Sequence, residues 1–453
     1  MRSRYADPWL ITITACLTLL GLLMVFSSST VMTASSADFR YDPFFFLKRQ
    51  GLAAGIGVAA LMFVRRIDLT RLRALTSVPF AIATIGLLGL VMLVGPEING
   101  AKRWIPMGPF QFQVAEMAKL ALIFYLADCL DRRREKVAQV WRIVPALGIF
   151  GIMLLLVEQE PDLGTALVLA GVFMAMLFVA GAKLEHLGAM AAAGVMAVVT
   201  MIIAKPFRMK RLATFVDPMG DVQGAGYQLY NSLLALASGG LWGQGIGNSH
   251  QKYNYLPEMH TDFIFAIYGE ELGFMGTCAL CTLYVALLYK GFKVAVQCRR
   301  PYLRLLSAGV TFQIALQALM NMAVASGCIP STGVPLPFIS YGGSSILFSL
   351  VSVGVLLNVA DFNARNVEGE GKPRRRERRT RLGATLVSSS DERVAPVISN
   401  GTWEQRAAGQ RLRRTEARLP RPVIEPTLSD RSFTAAREGR RQRNKREKAQ
   451  AIL

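Results

Sequence analysis

The segment Lys252 to Glu271, KYNYLPEMHTDFIFAIYGEE, gathers Glu258, His260, Thr261 and Asp262 immediately ahead of an apolar run. A carboxylate in that position can work as a general base. The free N–H groups and dipole at a helix start stabilise its charge, while partial burial raises its pKa toward the working range. The same residue types also make an ordinary helix cap, with Thr261 or Asp262 accepting hydrogen bonds from the first turn, and the local sequence leaves both readings open. His260 is a second titrating group, although a histidine at a loop end also serves as a hydrogen-bonding scaffold.

Several cations fall where a phosphate-bearing ligand could use them: Lys102 and Arg103 beside Trp104, Lys119, and the run Arg208, Lys210 and Arg211. Each can equally lay its stem along apolar surface and hold its charge at an interface, and Trp104 can be an interfacial aromatic. Glu116 and Lys119 stand three apart on one helical face, so mutual neutralisation competes with ligand contact. Pro335, Pro337, Gly342 and Gly343 interrupt the approach to an apolar run and free backbone amides, for an anion or simply for a turn. Cys278 and Cys281 form a lone C-x-x-C without a second ligand pair, which reads as helix packing; no metal ligand set emerges.

These residues must be positioned by helices in lipid. Of 453 residues 52% are hydrophobic, too many for a soluble domain to bury. Apolar runs approach the roughly 20 residues that a helix needs to cross a bilayer. The expected fold is therefore all-α and polytopic, with about ten spans near residues 8–28, 44–64, 76–96, 115–130, 142–158, 164–182, 185–204, 262–289, 305–327 and 342–361. Arg65, Arg66, Arg71 and Arg73, then Arg132, Arg133, Arg134 and Lys136, then Lys183, then Lys290, Lys293, Arg299, Arg300 and Arg304 occupy alternate connections, which the positive-inside rule places in the cytoplasm with both termini. Lys48, Arg49, Lys102, Arg103 and Lys205 to Arg211 fall on the outer side against that rule and need a partner or a role. A long outer connection, residues 205–261, joins the seventh and eighth spans and contains an amphipathic stretch, Tyr227 to Ser238. Most of the +20 net charge lies beyond residue 364, which removes the case for nucleic acid: residues 1–364 read as the membrane unit and 365–453 as a disordered basic cytoplasmic tail.

LPEMHTDFIFAIYGEELG, and GVPLPFISYGGSS at Gly333 to Ser345, resemble the two most characteristic segments of the shape, elongation, division and sporulation family. They are accompanied in order by NGAKRWIPMGPFQFQVAEMAK at Asn99 to Lys119, PDLGTAL at Pro161 to Leu167 and DPMGDVQGAGYQ at Asp217 to Gln228, and the resemblance covers residues 1 to about 362. Gly247 to Ala266 is more similar to the division branch than to the elongation branch. One departure is Glu160, where the family commonly has glutamine; it adds a negative charge to an outer hairpin.

The resemblance implies an inverting peptidoglycan glycosyltransferase at the outer face of the bacterial plasma membrane, at the division septum. It would polymerise the lipid-linked disaccharide-pentapeptide lipid II onto a nascent glycan strand and release undecaprenyl pyrophosphate. It carries the general base to Asp262 and supports substrate contacts at Arg103 and Trp104; Glu116, Lys119, Arg208, Lys210, His260 and Ser344 are the further candidates for substrate contact. A class B penicillin-binding protein and other division-complex membrane proteins are the implied partners, and a divalent cation, Mg or Mn, is a candidate companion of the pyrophosphate. Two rival classes fit the residues: a lipid II flippase, which needs a polar path through both leaflets, and a non-catalytic division scaffold.

Overall fold

The computed structural model describes residues 7–371 apart from 36, 40, 98–99, 108–109, 134–143, 218, 221, 223, 225 and 254–255. The expected tail from 372 onward, and the cations Arg134 and Lys136, lie outside the described residues. Seven helical segments among those described are long and apolar enough to cross a membrane: α1 (Pro8–Ser35), α2 (Phe45–Arg66), Arg73–Val94 formed by α3 (Arg73–Thr76) and α4 (Val78–Val94), α8 (Leu184–Ala204), α11 (Ile264–Gln297), α12 (Pro301–Ala325) and α13 (Gly343–Gly371). The shorter apolar helices α6 (Val144–Gln159) and α7 (Leu163–Val179) and the charge-bearing α5 (Val114–Arg132) complete the set of about ten expected from hydropathy. Two more helices, α9 (Pro206–Val216) and α10 (Tyr227–Ser238), fold the long connection, and α10 coincides with the amphipathic stretch. The helix α13 runs through Gly371, so the domain boundary drawn after residue 364 falls inside it.

Local chemistry sets the element ends. Proline opens α9 and α12, where its missing N–H is no loss. Asp162 caps α7 by accepting from the Thr165 N–H at 2.9 Å. Between α4 and α5 the chain makes something the all-α expectation lacked: an antiparallel hairpin of β1 (Trp104–Met107) and β2 (Phe110–Gln113), with Trp104 opposite Gln113 and Ile105 opposite Phe112. Pro106 is tolerated because a two-stranded hairpin is all edge.

α11 breaks its helix at Gly273, which adopts φ 67°. The loop after α10 fits into that break: Gln244 and Gly245 donate their N–H groups to the carbonyls of Glu270 and Glu271, and Phe274 and Met275 donate back to Gly240 and Leu241. A Cβ on Gly273 would lie 2.3 Å from the Gly243 nitrogen, so the interlock requires glycine. Glu270 and Glu271, both fully buried, are anchored there, although Glu271 Oε2 has no hydrogen-bond partner among the described residues. Glu270 accepts from the Ser249 hydroxyl and from the His250 N–H at 2.9 Å, and Glu271 accepts from Ser27 of α1 at 2.6 Å. Unpaired buried carboxylates would be prohibitive, so these contacts hold the long connection against the bundle.

Candidate active site

A cavity of about 1150 Å³ lies where the hairpin, the α6–α7 turn, the start of α9, the Glu258–Phe263 turn and the approach to α13 converge. Asp262 lines it, half-buried. The local fold settles the ambiguity of the sequence: α11 begins after Phe263 with no side-chain cap, and Thr261 turns its hydroxyl to Glu258 Oε2 at 2.8 Å. The Asp262 carboxylate accepts no hydrogen bond among the described residues, and Gly333, at φ 75°, leaves room beside it, since a Cβ there would come within 3.5 Å of Oδ2. Its backbone is fixed instead, the carbonyl accepting from Asn321 at 2.8 Å. Desolvation pushes the carboxyl up to about 7, Glu258 and Asp162 push the same way, and Arg211 and Arg103 pull it back only in part.

Arg103 and Trp104 reach the cavity from β1 and its approach. Arg103 also clamps the α6–α7 turn, donating from Nε to the Glu160 carbonyl at 2.7 Å and from Nη2 to the Pro161 carbonyl at 2.6 Å. Arg208 lines the cavity, yet it is buried and shares its charge with Glu158 through a short Nη1–Oε1 ion pair. Arg211 donates to the Ser331 carbonyl at 3.1 Å and feels the Asp262 charge. Glu160 is buried with neither carboxylate oxygen hydrogen-bonded, and burial, then Asp162, pushes its pKa up to about 8. The negative charge expected of Glu160 is therefore largely absent at neutral pH.

Of the other expected contact residues, four lie off the cavity lining and one, Ser344, lies on it. Glu116 and Lys119, 2% and 1% exposed, pair with each other at 2.6 Å inside α5 and do not line the cavity. An i, i+3 pair facing the helix interior has its partner already, and separating it would strand a buried charge. Lys210 borders a smaller neighbouring cavity of about 200 Å³, because the helical turn of α9 rotates it away from Arg208. His260 packs between rings, 4.7 Å from Phe46 and 5.6 Å from Tyr341, and desolvation lowers its pKa, so it is a neutral scaffold. Ser344 lines the cavity but its hydroxyl is engaged, accepting from Gln113 N–H at 2.9 Å and donating to the Gln111 carbonyl at 3.1 Å, which pins β2 to α13.

Comparison with known proteins now bears on this geometry. The family described as cell cycle protein, uniting FtsW, RodA and SpoVE, matches residues 8–365. The chain belongs to that family. Among its relatives, stage V sporulation protein E of Bacillus subtilis is 41% identical over 361 residues, spanning 79% of this chain and 97% of that one. The probable peptidoglycan glycosyltransferase FtsW of a Geobacter species is 39% identical over 357 residues, 78% and 96% of the two chains. Among solved structures, a peptidoglycan synthase complex described as coordinating polymerization and crosslinking matches with TM-score 0.66 and 32% identity, over 80% of this chain and 99% of that one. Rod shape determining protein RodA of Thermus thermophilus matches with TM-score 0.60 and 30% identity, over 80% and 98%. The family unit thus takes in the whole cavity and ends before the basic tail.

Three cavity features were not singled out by the sequence. Glu258 was noted only as a neighbour, although its charge raises the Asp262 pKa. Gln113 contributes from the unforeseen hairpin. Phe45, Phe46 and Arg49 enter from the start of α2 and Phe39 from the short 3-10 turn before it, and the one available signal was the charge-rule exception at Arg49.

Proposed function

We propose that this chain is a peptidoglycan glycosyltransferase that polymerises lipid II at the outer face of the plasma membrane. The observation that carries the reading is Asp262: a carboxylate that accepts no hydrogen bond among the described residues, with a pKa of about 7, in a cavity rimmed by Arg103, Arg208 and Arg211. A base so tuned is substantially ionised at neutral pH and still holds a proton well. The acceptor sugar hydroxyl bonds to C1 of the donor and passes its proton to Asp262. The C1–O bond to pyrophosphate breaks, and the electron pair leaves with the undecaprenyl pyrophosphate. One displacement inverts the anomeric centre and needs no covalent intermediate. Arginine forks suit the developing charge on the leaving group.

The septal role, the outer orientation with both termini cytoplasmic, and partnership with a class B penicillin-binding protein belong to the same proposal; the FtsW relatives and the solved synthase complex support them. Among the described residues no three His, Cys, Asp or Glu side chains converge to hold a metal. Mg or Mn would therefore reach the site as the companion of a pyrophosphate rather than as a resident ion. The Glu116–Lys119 pair, and Glu270 and Glu271, make their polar contacts within the bundle and do not line the cavity, which supports a polymerase over a flippase with a polar path. The test is polymerisation of purified lipid II, with and without the transpeptidase partner. Glycan chains from the wild type and none from Asp262→Asn are expected, and absence of product in both settings would overturn the reading.

A further inference from the structure

The cavity has a second cationic wall that the reaction as described leaves unused. Phe39, Phe45 and Phe46 line it, with Tyr341 and Arg49. Phe46 touches the His260 ring at 4.7 Å and the Tyr341 ring at 4.7 Å edge-on, and the Tyr341 N–H donates to the His260 carbonyl at 2.8 Å. The wall thus starts two residues from Asp262 and ends at Arg49. The Arg49 guanidinium lies 4.2 Å from the Phe45 ring centroid, and its charge acts on the Tyr341 hydroxyl, offsetting in part the rise in pKa that burial causes there. Among the described residues no carboxylate pairs with it, whereas its neighbour Lys48 is paired with Asp42 at 2.7 Å. Gln50, the next residue, locks this part of α2 in place by donating to the Ser340 carbonyl and accepting from the Gly342 N–H, both at 3.1 Å. An exposed arginine facing a cavity, oriented by two aromatic side chains on an immobilised helix, is built to receive an anion.

The chemistry of the proposed reaction supplies one. Both substrates are lipid-linked pyrophosphates, but only the donor's departs. The donor pyrophosphate hangs on the carbon under attack and must lie one sugar atom from the hydroxyl that Asp262 deprotonates. The acceptor's pyrophosphate sits at the other end of its disaccharide. Arg103 and Arg211 lie close enough to Asp262 to act on its charge, which fits them to the leaving group. Arg49, beyond the aromatic wall, is placed for the group a disaccharide away, and aromatic faces along the wall suit the apolar faces of sugar rings. Resting on the glycosyltransferase reading, we propose that Arg49, set by Phe45 and Tyr341, holds the acceptor's pyrophosphate while Arg103 and Arg211 face the one that leaves.

The experiment couples 4-deoxy lipid II, which can act only as donor, to one of two acceptors: lipid II, or the disaccharide-pentapeptide as its methyl glycoside, which lacks pyrophosphate. Arg49→Ala should raise the lipid II concentration for half-maximal coupling about tenfold, with Arg49→Lys between it and wild type. It should leave coupling to the methyl glycoside unaltered. Lys48→Ala serves as the neighbouring control and should match wild type in both. An unchanged half-saturating concentration of lipid II, or an equal loss with both acceptors, would overturn the assignment. A wild type that couples neither acceptor overturns the glycosyltransferase reading itself, a result distinct from a wild type that couples both and an Arg49 variant that behaves like it.

Discussion

Away from the cavity, Arg65 meets Asp361 at 2.8 Å, and Arg73 bridges Asp131 at 2.6 Å and Asp128, which also takes Arg132. Asn358 closes α2 there by donating to the carbonyls of Val64, Arg65 and Ile67. At the cavity, by contrast, among the described residues Asp262 accepts no hydrogen bond, Glu160 next to the lining Pro161 is buried without one, and Arg49 lacks a carboxylate. The same residue types appear at both places. One set neutralises itself and fixes the helices; in the other, Asp262 and Arg49 face the cavity with their polar atoms open to a substrate. Polar groups mutually satisfied mark structure, and polar groups deliberately held unsatisfied mark a site.

The sharpest way to break this contrast is at Asp262. Asp262→Asn should lower polymerisation by at least about 100-fold while leaving the protein folded, measured as glycan product per monodisperse molecule in detergent. In the wild type the base must be ionised, so the rate should climb with pH through about 7 and level off above it; a rate flat from pH 5 to 9 would remove the base. The folded-state pKa lies above the ordinary 3.8, so ionisation penalises the fold increasingly from there up to about 7. Asp262→Asn should therefore melt higher than wild type above pH 7, and the gap should close near pH 4.

Arg103 stands between the two categories, since it binds carbonyls and also faces the cavity. Arg103→Lys should lose about tenfold in polymerisation and Arg103→Ala more, because an ammonium cannot span the Glu160 and Pro161 carbonyls as a planar fork does. Equal activity of the lysine variant would make Arg103 a point charge only. At the self-neutralised end the readouts should reverse. Arg73→Met should destabilise the bundle by about 2 kcal/mol by stranding Asp131 and leaving Asp128 only Arg132, with polymerisation per folded molecule retained. The smallest effect on polymerisation belongs to Glu160→Gln: near-wild-type product at pH 7, with a melting temperature that rises above that of the wild type progressively from about pH 4.5 to about 8 and then levels off, because the unfolded wild-type carboxyl ionises while the buried one stays protonated.

The spanning helices were legible because length and apolarity in lipid leave few alternatives, and even α5 was found despite its charges. Asp262 was legible as a candidate but not as a decision; base and cap differ only in where a side chain points, and that depends on Glu258 taking Thr261. Glu116 and Lys119 could not be assigned from spacing, which is the same for a pair that faces inward and one that faces a ligand. The β1–β2 hairpin is too short for its alternation to stand out. The aromatic wall was least visible: Phe46 and Tyr341 are nearly 300 positions apart, and phenylalanines beside a helix start in lipid carry no signal of their own.

The interlock at Gly273 has a bearing on how the chain is made. Glu270 and Glu271 enter the bundle fully buried, and the groups that satisfy them, Ser27, Ser249, the His250 amide and Lys252, all precede them in the chain. A helix carrying two adjacent carboxylates is a poor candidate for insertion by itself. Here each acidic side chain emerges during synthesis after the groups it bonds, so that when α12 and α13 follow to pack on α11 the polar contacts that offset the cost of burial are already at hand.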